Sequence, residues 1–351
     1  MWYLSKIPKV AHFYWGNKSM PFSRFFTVAS FAALNKDWEI RLHVPEELSD
    51  SLKLTWASHE HRRLPRRKNA PEIKCYWDKV KAIPNVRICE QDLGFLKSAS
   101  EVHKSDFLRW GLLSKDGGLW SDMDIVYFRP MDDLYLNRKS PEVVNVNGLK
   151  HYVDSSKATE VVSVMGHTNS IGFLIAEQGS NFFSDVEEGC LEMVSSNGLE
   201  LIGKDYQSIG REIMDNMVNE ATLDKKVPYY TVKKDCKSGD NEILMMVKVH
   251  NDSVHGDFIM KESEGINNLD MAVVYSHTDP VIHLMVDPSH EYDAFDDEPF
   301  AIGTHWYGGH PKMGPYMDML DEHNVYNMQP NPMINIIKRV LDDHRDYLFP
   351  A

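Results

Sequence analysis

Apolar residues in the first 45 positions follow the pattern of a strand, a helix and a second strand. Residues 10–15 are mostly apolar, and Pro21 precedes a stretch in which apolar side chains recur at helical spacing up to Asn35. Residues 38–44 then alternate apolar and polar positions, which is typical of a half-buried strand. A strand, a helix and a strand of these lengths form a right-handed unit with parallel strands, so we predict an α/β sheet.

A second set of elements leads to a pair of acidic residues. A strand is predicted around Val86 and Ile88, followed by a helix that begins at the serines of 98–100 and ends at Gly117. Residues 119–128 are mostly apolar and are predicted as one continuous strand, in which alternate side chains share a face. Within this stretch, Asp122 and Asp124 would therefore point in the same direction.

Two carboxylates on one face of an apolar strand repel each other and resist burial unless a cation or hydrogen-bond donors lie between them. Hard oxygen ligands favour Mg²⁺ or Mn²⁺, and Mg²⁺ is usually held by one or two carboxylates together with substrate phosphates. This pattern indicates a bound nucleotide diphosphate. The alternative is an edge strand whose polar face exposes two hydrated acids.

The helix before this strand carries Asp106 and Arg109 on the same face as Val102 and Leu113. The helix is apolar nearly all round, so it is predicted to be buried on most sides, and both charged side chains then need partners. One alternative is an ion pair within the helix. The other is that Arg109 binds phosphate or sugar oxygens and Asp106 accepts hydrogen bonds from sugar hydroxyls, which the nearby acidic pair favours.

The run S-D-x-x-R-(x)₇-G-G-x-x-x-D-x-D at residues 105–124 resembles the sugar-donor motif of the D-x-D glycosyltransferases. That family includes the yeast initiating α-mannosyltransferase and the glucosylating domain of the large clostridial toxins. The opening segment, 7–16, with the helix that follows it and the run W-E-I-R-L at 38–42, resembles the first βαβ unit of the family. The run H-W-Y-G-G at 305–309 is similar to its C-terminal H-W-x-G segment. The resemblance implies an A-type glycosyltransferase fold: a Rossmann-like mixed α/β sheet with flanking helices and helical insertions.

The resemblance also implies roles for residues outside the D-x-D strand. It places Trp15 against the uracil of the donor, with Tyr14 beside it, although a lone tryptophan after an apolar strand is more often a core residue. It places Asn169 near the donor sugar, where the alternative is an asparagine in a turn. Trp306 would cover the diphosphate on a glycine-rich loop. His310 stands where relatives often carry another tryptophan.

The same resemblance implies a metal site and a reaction. Asp124 is expected to contact Mn²⁺ or Mg²⁺ directly, Asp122 to contact the ribose and the metal through water, and His305 to complete the coordination. The reaction would move a sugar from a UDP-sugar to an acceptor hydroxyl, with retention of the anomeric configuration. The alternative from another class is a nucleotide-binding module without turnover. Nucleotidyl transfer is disfavoured because residues 16–19 are too short for a glycine-rich phosphate loop.

The net charge of −14 opposes non-specific attraction to nucleic acid by the whole chain. Residues 59–68 are a local exception, with five arginines and lysines, of which Arg62, Arg63, Arg66 and Arg67 are candidates for contact with an acceptor. Such a run is either a solvated loop or a surface for a polyanion, such as viral DNA with hydroxymethylated bases. The other acceptor classes are a glycan, a lipid or a protein hydroxyl.

The 351 residues, 42% of them hydrophobic, can bury a sizeable core. No stretch approaches 18 uninterrupted apolar residues, and the first residues lack the features of a signal peptide, so a cytoplasmic protein is expected, bacterial or made by a virus in its host. The four widely spaced cysteines are expected to be reduced. The predicted organisation is a catalytic domain at 1–310 (nucleotide-sugar half 1–135, acceptor half 136–310, insertions at about 46–82 and 231–300) and a helical tail at 311–351.

Overall fold

The computed structural model describes residues 6–48, 74–96, 99–133, 142–146, 149–153, 160–165, 168–202, 208–218, 229–236, 239–247, 274–275, 282–297, 302–310 and 312–349. At position 95, at 297 and in the described parts of 142–170, 197–202, 215–247 and 274–283, the backbone alone is described. The basic run at 59–68 lies outside these residues.

Strands and helices alternate through the first part of the chain, as the sequence pattern predicts. The strands are β1 Val10–Tyr14, β2 Glu39–Pro45, β3 Val86–Gln91, β4 Gly118–Ser121, β5 Ile125–Tyr127, β6 Glu142–Val146, β7 Leu149–Val153, β8 Glu160–Met165, β9 Thr168–Ala176, β10 Tyr229–Cys236, β11 Gly239–Val247, β12 Val274–Tyr275 and β13 Gly303–His305. The helices are α1 Phe22–Leu34, α2 Trp77–Lys81, α3 Glu101–Lys115, α4 Asn181–Ile202, α5 Arg211–Val218, α6 Ala294–Asp297, α7 Met313–Asp318 and α8 Pro332–Leu348, with short 3₁₀ helices at Gly94–Leu96, Met131–Asp133, Ile282–Val286 and Asn324–Asn327.

The main sheet has the strand order β10-β11-β8-β9-β4-β1-β2-β3. Strands β4, β1, β2 and β3 are mutually parallel, whereas β9 runs antiparallel to both β4 and β8. The predicted α/β class, a Rossmann-like mixed sheet with helices around it, is therefore confirmed. Because the carboxyl ends of parallel strands meet at one edge, the residues after β1 and after β4 lie at the edge where such sheets bind ligands.

Helix α1 is buried along nearly its whole length and fixes β1 relative to β5. Its Phe31 ring lies 5.7 Å from the ring centroid of Phe13 on β1, 5.6 Å from that of Trp38 and 4.9 Å from that of Tyr127 on β5. Phe31 is fully buried, and burying an aromatic side chain of this size contributes about 1.5–3 kcal/mol. The helix therefore provides a rigid support at the ligand-binding edge.

The predicted boundaries of α3 are confirmed. The Ser100 hydroxyl accepts a hydrogen bond from the backbone N–H of His103, which caps the helix at its N-terminus. At the other end, Gly117 has φ +67° and Gly118 has φ +91°, which side-chain-bearing residues rarely adopt. A Cβ on Gly118 would lie 2.3 Å from the Val10 carbonyl oxygen, so glycine permits the close packing of β4 on β1.

The prediction of one continuous strand over 119–128 is wrong. The chain leaves the main sheet after Ser121, turns through 122–124 and re-enters extended structure as β5, which pairs antiparallel with β13 in a separate three-stranded sheet. In that sheet Ile125 is opposite His305 and Tyr127 is opposite Gly303. The turn, rather than strand alternation, therefore orients Asp122 and Asp124.

The C-terminal residues share the main hydrophobic core. Side chains of α7 and α8, including Met317, Met333 and Ile337, are buried in the same cluster as Phe22 and Phe25 of α1. The predicted helix near the C-terminus is confirmed as α8, which Asn331 caps by accepting a hydrogen bond from the Ile334 N–H. Within the described parts of the chain, no helix has the length and apolarity needed to cross a membrane.

Two buried histidines connect the sheet to the glycine turn. His12 Nε2 lies 2.9 Å from the Gly117 carbonyl oxygen, His12 Nδ1 lies 2.9 Å from His43 Nε2, and His43 Nδ1 lies 3.0 Å from the Gln91 amide nitrogen. Because a carbonyl can only accept, His12 carries its proton on Nε2, and His43 then donates from its own Nε2. All three of these hydrogen bonds form when both imidazoles are neutral.

We expect these histidines to lower the free energy of unfolding at acidic pH. Burial lowers the pKa of His12 to about 4 and that of His43 to about 2, so between those values and the ordinary pKa near 6.5 only the unfolded state binds the protons. Their stabilisation is complete above about pH 6.5 and is lost as the pH falls towards the folded-state values. Each imidazole contributes about 1.4 kcal/mol per pH unit in that window.

Urea unfolding at pH 5 and pH 7 of the wild type and of His12→Gln checks this expectation. Glutamine can keep both hydrogen bonds but does not titrate, so the variant should lose less stability between pH 7 and pH 5 than the wild type does. An equal loss in both proteins would contradict it. The comparison uses the difference between proteins because buried carboxyl groups, whose pKa is raised, contribute with the opposite sign.

Candidate active site

Asp124 joins the turn after β4 to the segment that follows β13. Its Oδ1 lies 3.0 Å from His305 Nε2, its Oδ2 accepts a hydrogen bond of 2.8 Å from the Gly308 N–H, and its backbone carbonyl accepts one of 2.9 Å from the Trp306 N–H. Burial alone would raise the pKa of Asp124, but His305, Arg24 and the Gly308 N–H outweigh it and hold that pKa well below its usual range. Asp124 is therefore an ionised carboxylate despite being buried.

Arg24 on α1 lies directly behind this carboxylate. Its Nη1 donates a hydrogen bond of 3.0 Å to the Met123 carbonyl oxygen and lies 3.9 Å from Asp124 Oδ2. The guanidinium carbon is 4.5 Å from the ring centroid of Trp306 and 5.6 Å from that of Trp15. Arg24 thus contacts the acidic turn and both tryptophans that the resemblance assigns to the donor.

Asp122 is held by a different arginine on the other side of the turn. Arg109 Nη2 lies 3.4 Å from Asp122 Oδ1 and 2.6 Å from Asp106 Oδ1, and Arg109 Nη1 donates to the Ile171 carbonyl oxygen. The Trp120 indole N–H also donates to Asp122, over 3.0 Å. The Asp122 side chain is the more open of the two acids, at 29% exposure against 12% for Asp124.

Asp106 and Arg109 form the ion pair within α3 that the sequence left as one of two alternatives. Both side chains are 3% exposed, so neither can touch a sugar in this conformation. Burial raises the pKa of Asp106 to about 7, opposed by the Arg109 charge and reinforced by Asp122. The Asp106–Arg109 pair nevertheless contacts the acidic turn, because Arg109 also faces Asp122.

Trp15 and Tyr14, the residues expected to contact the donor base, are also buried. Trp15 is 4% exposed, and its indole N–H donates to the Ser19 carbonyl oxygen over 3.0 Å. The Tyr14 hydroxyl donates to Glu101 over 2.5 Å, and Lys104 binds the other oxygen of that carboxylate at 2.7 Å. Burial and the Glu101 charge raise the pKa of Tyr14 well above its usual range, so its hydroxyl stays protonated.

A Cβ at Gly16 would collide with this cluster, 1.8 Å from the Glu101 side chain, which is itself buried. We expect Gly16→Ala to lower the free energy of unfolding by about 1–3 kcal/mol, because the carboxylate must leave Tyr14 or Lys104 to make room. The control is Gly189→Ala in α4, where a Cβ meets nothing within 4 Å and should stabilise the helix by about 0.5–1 kcal/mol. Urea unfolding of both variants measures the difference, and equal stability would contradict the expectation.

The segment after β13 has a special backbone and an indole donor without a partner. Tyr307 has φ 47°, in the left-handed region that residues other than glycine rarely adopt, and its ring stacks on His305 at 4.1 Å. Within the described residues, the buried indole N–H of Trp306 has no hydrogen-bond acceptor. His310 Nδ1 accepts from the backbone N–H groups of Lys312 and Met313, at 3.2 and 3.3 Å, and so supports the start of α7.

The residues present can accommodate a divalent cation. A carboxylate and an imidazole, on Asp124 and His305, lie 3.0 Å apart at the ligand-binding edge, and such mixed donors suit Mn²⁺. Within the described part of the chain, no group of three His, Cys, Asp or Glu side chains is arranged around one point, and Asp122 faces Arg109. Two protein ligands are nevertheless sufficient where substrate phosphates and water complete the coordination.

The structure leaves other predicted site residues without a position relative to this site. Asn169 lies in β9 opposite Val164, and only its backbone is described. Arg62, Arg63, Arg66 and Arg67 lie outside the described residues.

Two charged residues near this site, Arg24 and Asp318, were not predicted from the sequence. Asp318 ends α7, accepts a hydrogen bond of 3.2 Å from the Ser23 hydroxyl and has its pKa raised by burial, against the opposing charge of Arg24. A signal was present, because an arginine within an otherwise apolar helix needs a buried acidic partner.

Several solved structures of glycosyltransferases show a low similarity to this chain and cover it unevenly. The glycosyltransferase GlyE of Streptococcus pneumoniae TIGR4 is 10% identical over 97% of this chain and 62% of its own, less than two thirds, with a TM-score of 0.41. The PaToxG glycosyltransferase is 13% identical over 62% of this chain and 69% of its own, with a TM-score of 0.39. The galactosyltransferase LgtC, in complex with donor and acceptor sugar analogues, is 11% identical over 91% of this chain and 100% of its own, with a TM-score of 0.37.

These structural similarities are too low to carry an argument about this chain, and no curated protein matches its sequence. A family model does match. It is described as the glycosyltransferase sugar-binding region containing the DXD motif, and it covers residues 27–141, about a third of the chain. The match includes Asp106, Arg109 and both acids of the turn after β4. Residues 27–141 of this chain therefore match the family of DXD-containing sugar-binding regions of glycosyltransferases.

Proposed function

We propose that this protein is a glycosyltransferase of the A-type fold that moves a sugar from a UDP-sugar to an acceptor hydroxyl with the help of Mn²⁺ or Mg²⁺. The observation that carries the proposal is the contact of Asp124 with His305. These residues are 181 positions apart, yet they meet at the carboxyl edge of the sheet within a DXD-containing region. A carboxylate and an imidazole brought together at this edge are suited to a cation that binds a diphosphate.

In the proposed reaction, the bond between the sugar C1 and the diphosphate oxygen breaks and a bond from C1 to the acceptor oxygen forms. The acceptor hydroxyl proton leaves with the products. The departing diphosphate gains negative charge, which a cation held by Asp124 and His305 would neutralise. The indole N–H of Trp306 has no acceptor among the described residues but is fully buried, so it would donate to a phosphate oxygen only after the 303–308 segment moves. Retention of configuration is part of the proposal and rests on the resemblance.

The buried arginines contribute by fixing the acids rather than by touching the donor in the conformation described. Arg109 holds Asp122 and Arg24 holds Asp124, so both carboxylates keep their direction before a ligand arrives. Such preorganisation lowers the cost of reorganising charged groups during the reaction. Asn169 near the donor sugar, a cytoplasmic location and the arginines at 62–67 as an acceptor contact remain part of the proposal.

Calorimetric titration with UDP, with Mn²⁺ and then with a chelator in excess, tests the cation and the nucleotide together. We expect binding with Mn²⁺ that weakens at least tenfold with chelator. Release of UDP from a panel of UDP-sugars then separates an enzyme from a binding module, which would bind without turnover. The mass added to glycan, lipid, protein and hydroxymethylated DNA acceptors identifies the acceptor class. If the affinity for UDP is the same with and without chelator, the proposed dependence on a metal is wrong.

A further inference from the structure

We propose that Arg24 is a positioning residue that holds the Asp124 turn and the 303–308 segment together. The inference deepens the proposed function and rests on it where donor binding is concerned. It concerns a residue that lies outside the matched region 27–141. Arg24 is a positioning residue rather than a catalytic one because its side chain is 3% exposed.

Arg24 contacts both sides of one junction, between the turn at 122–124 and the 303–308 segment. On the turn it donates to the Met123 carbonyl oxygen at 3.0 Å and faces Asp124 at 3.9 Å, whereas on the 303–308 segment it lies under the Trp306 ring at 4.5 Å. The two sides of this junction are also joined by the pairing of β5 with β13 and by Asp124, which faces His305 and accepts the N–H groups of Trp306 and Gly308. A planar cation between them stabilises the junction by hydrogen bonding, charge and stacking at once.

Helix α1 also supports the backbone from the acidic turn to residue 131 with a row of polar side chains. Thr27 donates to the same Met123 carbonyl oxygen at 3.0 Å, and Ser30 accepts the Tyr127 N–H at 3.2 Å. The Asn35 carboxamide at the end of the helix accepts the Met131 N–H at 2.7 Å. Polar groups buried on a helix need such partners, and here the partners are backbone groups of the acidic turn and of the chain that follows it.

Arg24 and Arg109, which face the two acids of the turn from opposite sides, have similar surroundings. Arg109 faces Asp122, a second buried acid (Asp106), a backbone carbonyl of β9 and the Trp120 ring at 4.9 Å. Arg24 likewise faces Asp124, a backbone carbonyl and an indole ring, and the half-buried Asp318, which accepts a hydrogen bond from the neighbouring Ser23, adds a second negative charge. Burial lowers the pKa of Arg24, and the charges of Asp124, Asp318 and Asp122, in that order, oppose the shift without cancelling it. Each aspartate of the motif therefore has its own buried guanidinium.

Hydrogen exchange measured by mass spectrometry tests the positioning role without any ligand. In Arg24→Lys and Arg24→Met we expect exchange in peptides covering 122–126 and 303–308 to become about tenfold faster or more, with little change in α3 and β9, where Arg109 acts. Lysine keeps the charge but not the planar contacts, so its effect should be the smaller one. If Arg24→Met does not fold, the lysine variant still decides the question. The control, Arg345→Met, removes an exposed arginine of α8 and should change neither segment.

The effect of Arg24 on donor binding is then tested by calorimetric titration with UDP in the presence of Mn²⁺. We expect Arg24→Lys to weaken binding about tenfold, and Asp318→Asn to weaken it less, because Arg24 keeps its other contacts. Unchanged exchange in both segments, or an equal acceleration throughout the chain, would overturn the positioning role. A wild type that binds no UDP would overturn the proposed function instead, and the exchange result would still decide the role of Arg24.

Discussion

Replacing Asp124 with asparagine is expected to lower the rate of UDP release from a UDP-sugar by about 1,000-fold. The carboxylate faces His305, accepts from the Gly308 N–H and is the candidate ligand for a cation. An amide of the same size keeps one accepting oxygen but loses the negative charge. Because the departing diphosphate depends on that cation, the loss should appear mainly in kcat.

The control for Asp124→Asn is Asp132→Asn, which makes the same chemical change shortly after the motif. Asp132 is 43% exposed and faces Lys9 at 3.7 Å, so its loss should leave turnover within about twofold of the wild type. Circular dichroism and thermal melting establish that both variants are folded, and activity is compared per folded molecule. Turnover by Asp124→Asn within about fivefold of the wild type would contradict the assignment.

Replacing Arg109 with methionine is expected to lower the free energy of unfolding by about 3–5 kcal/mol. Arg109 is the buried partner of Asp106 and also faces Asp122, so methionine leaves the Asp106 carboxyl without its cation. The pKa of Asp106, already about 7, should rise further, and its charged form should then destabilise the fold as the pH rises through that value. The loss should therefore be greater at pH 8 than at pH 5.

Urea unfolding at both pH values, with two further variants, separates the charge effect from lost packing. Adding Asp106→Asn to Arg109→Met should recover stability, because it removes the uncompensated buried acid. The control Arg41→Met breaks an ion pair with Glu39 and Asp116 in which the side chains are 25–43% exposed, and it should cost less than about 1 kcal/mol. If both arginine variants cost the same, or the double variant is no better than the single one, the buried-charge account is wrong.

The spacing of apolar residues was sufficient to predict β1, α1, β2, β3, α3 and α8, because it follows the strand or helix period in each of them. In α3 and α8, cap residues near the start of the helix add a local signal. Gly117 was predicted as a helix end for the same local reason, and its φ of +67° agrees. The motif at 105–124 also predicted a sugar-binding region, and the family model that matches residues 27–141 includes this motif. These features depend on neighbours in sequence, so the sequence alone determined them.

Tertiary structure decided which groups meet. Alternation predicted one strand over 119–128, but pairing of β5 with β13 draws the chain out of the main sheet and orients Asp124 towards His305. Nothing local identified Arg24 as the partner of that carboxylate, because the two are 100 positions apart and meet only when α1 packs behind the turn. Burial also decided that Asp106 and Arg109 pair with each other. Hydrophobic spacing specifies elements, whereas the partners of buried charges depend on how those elements pack.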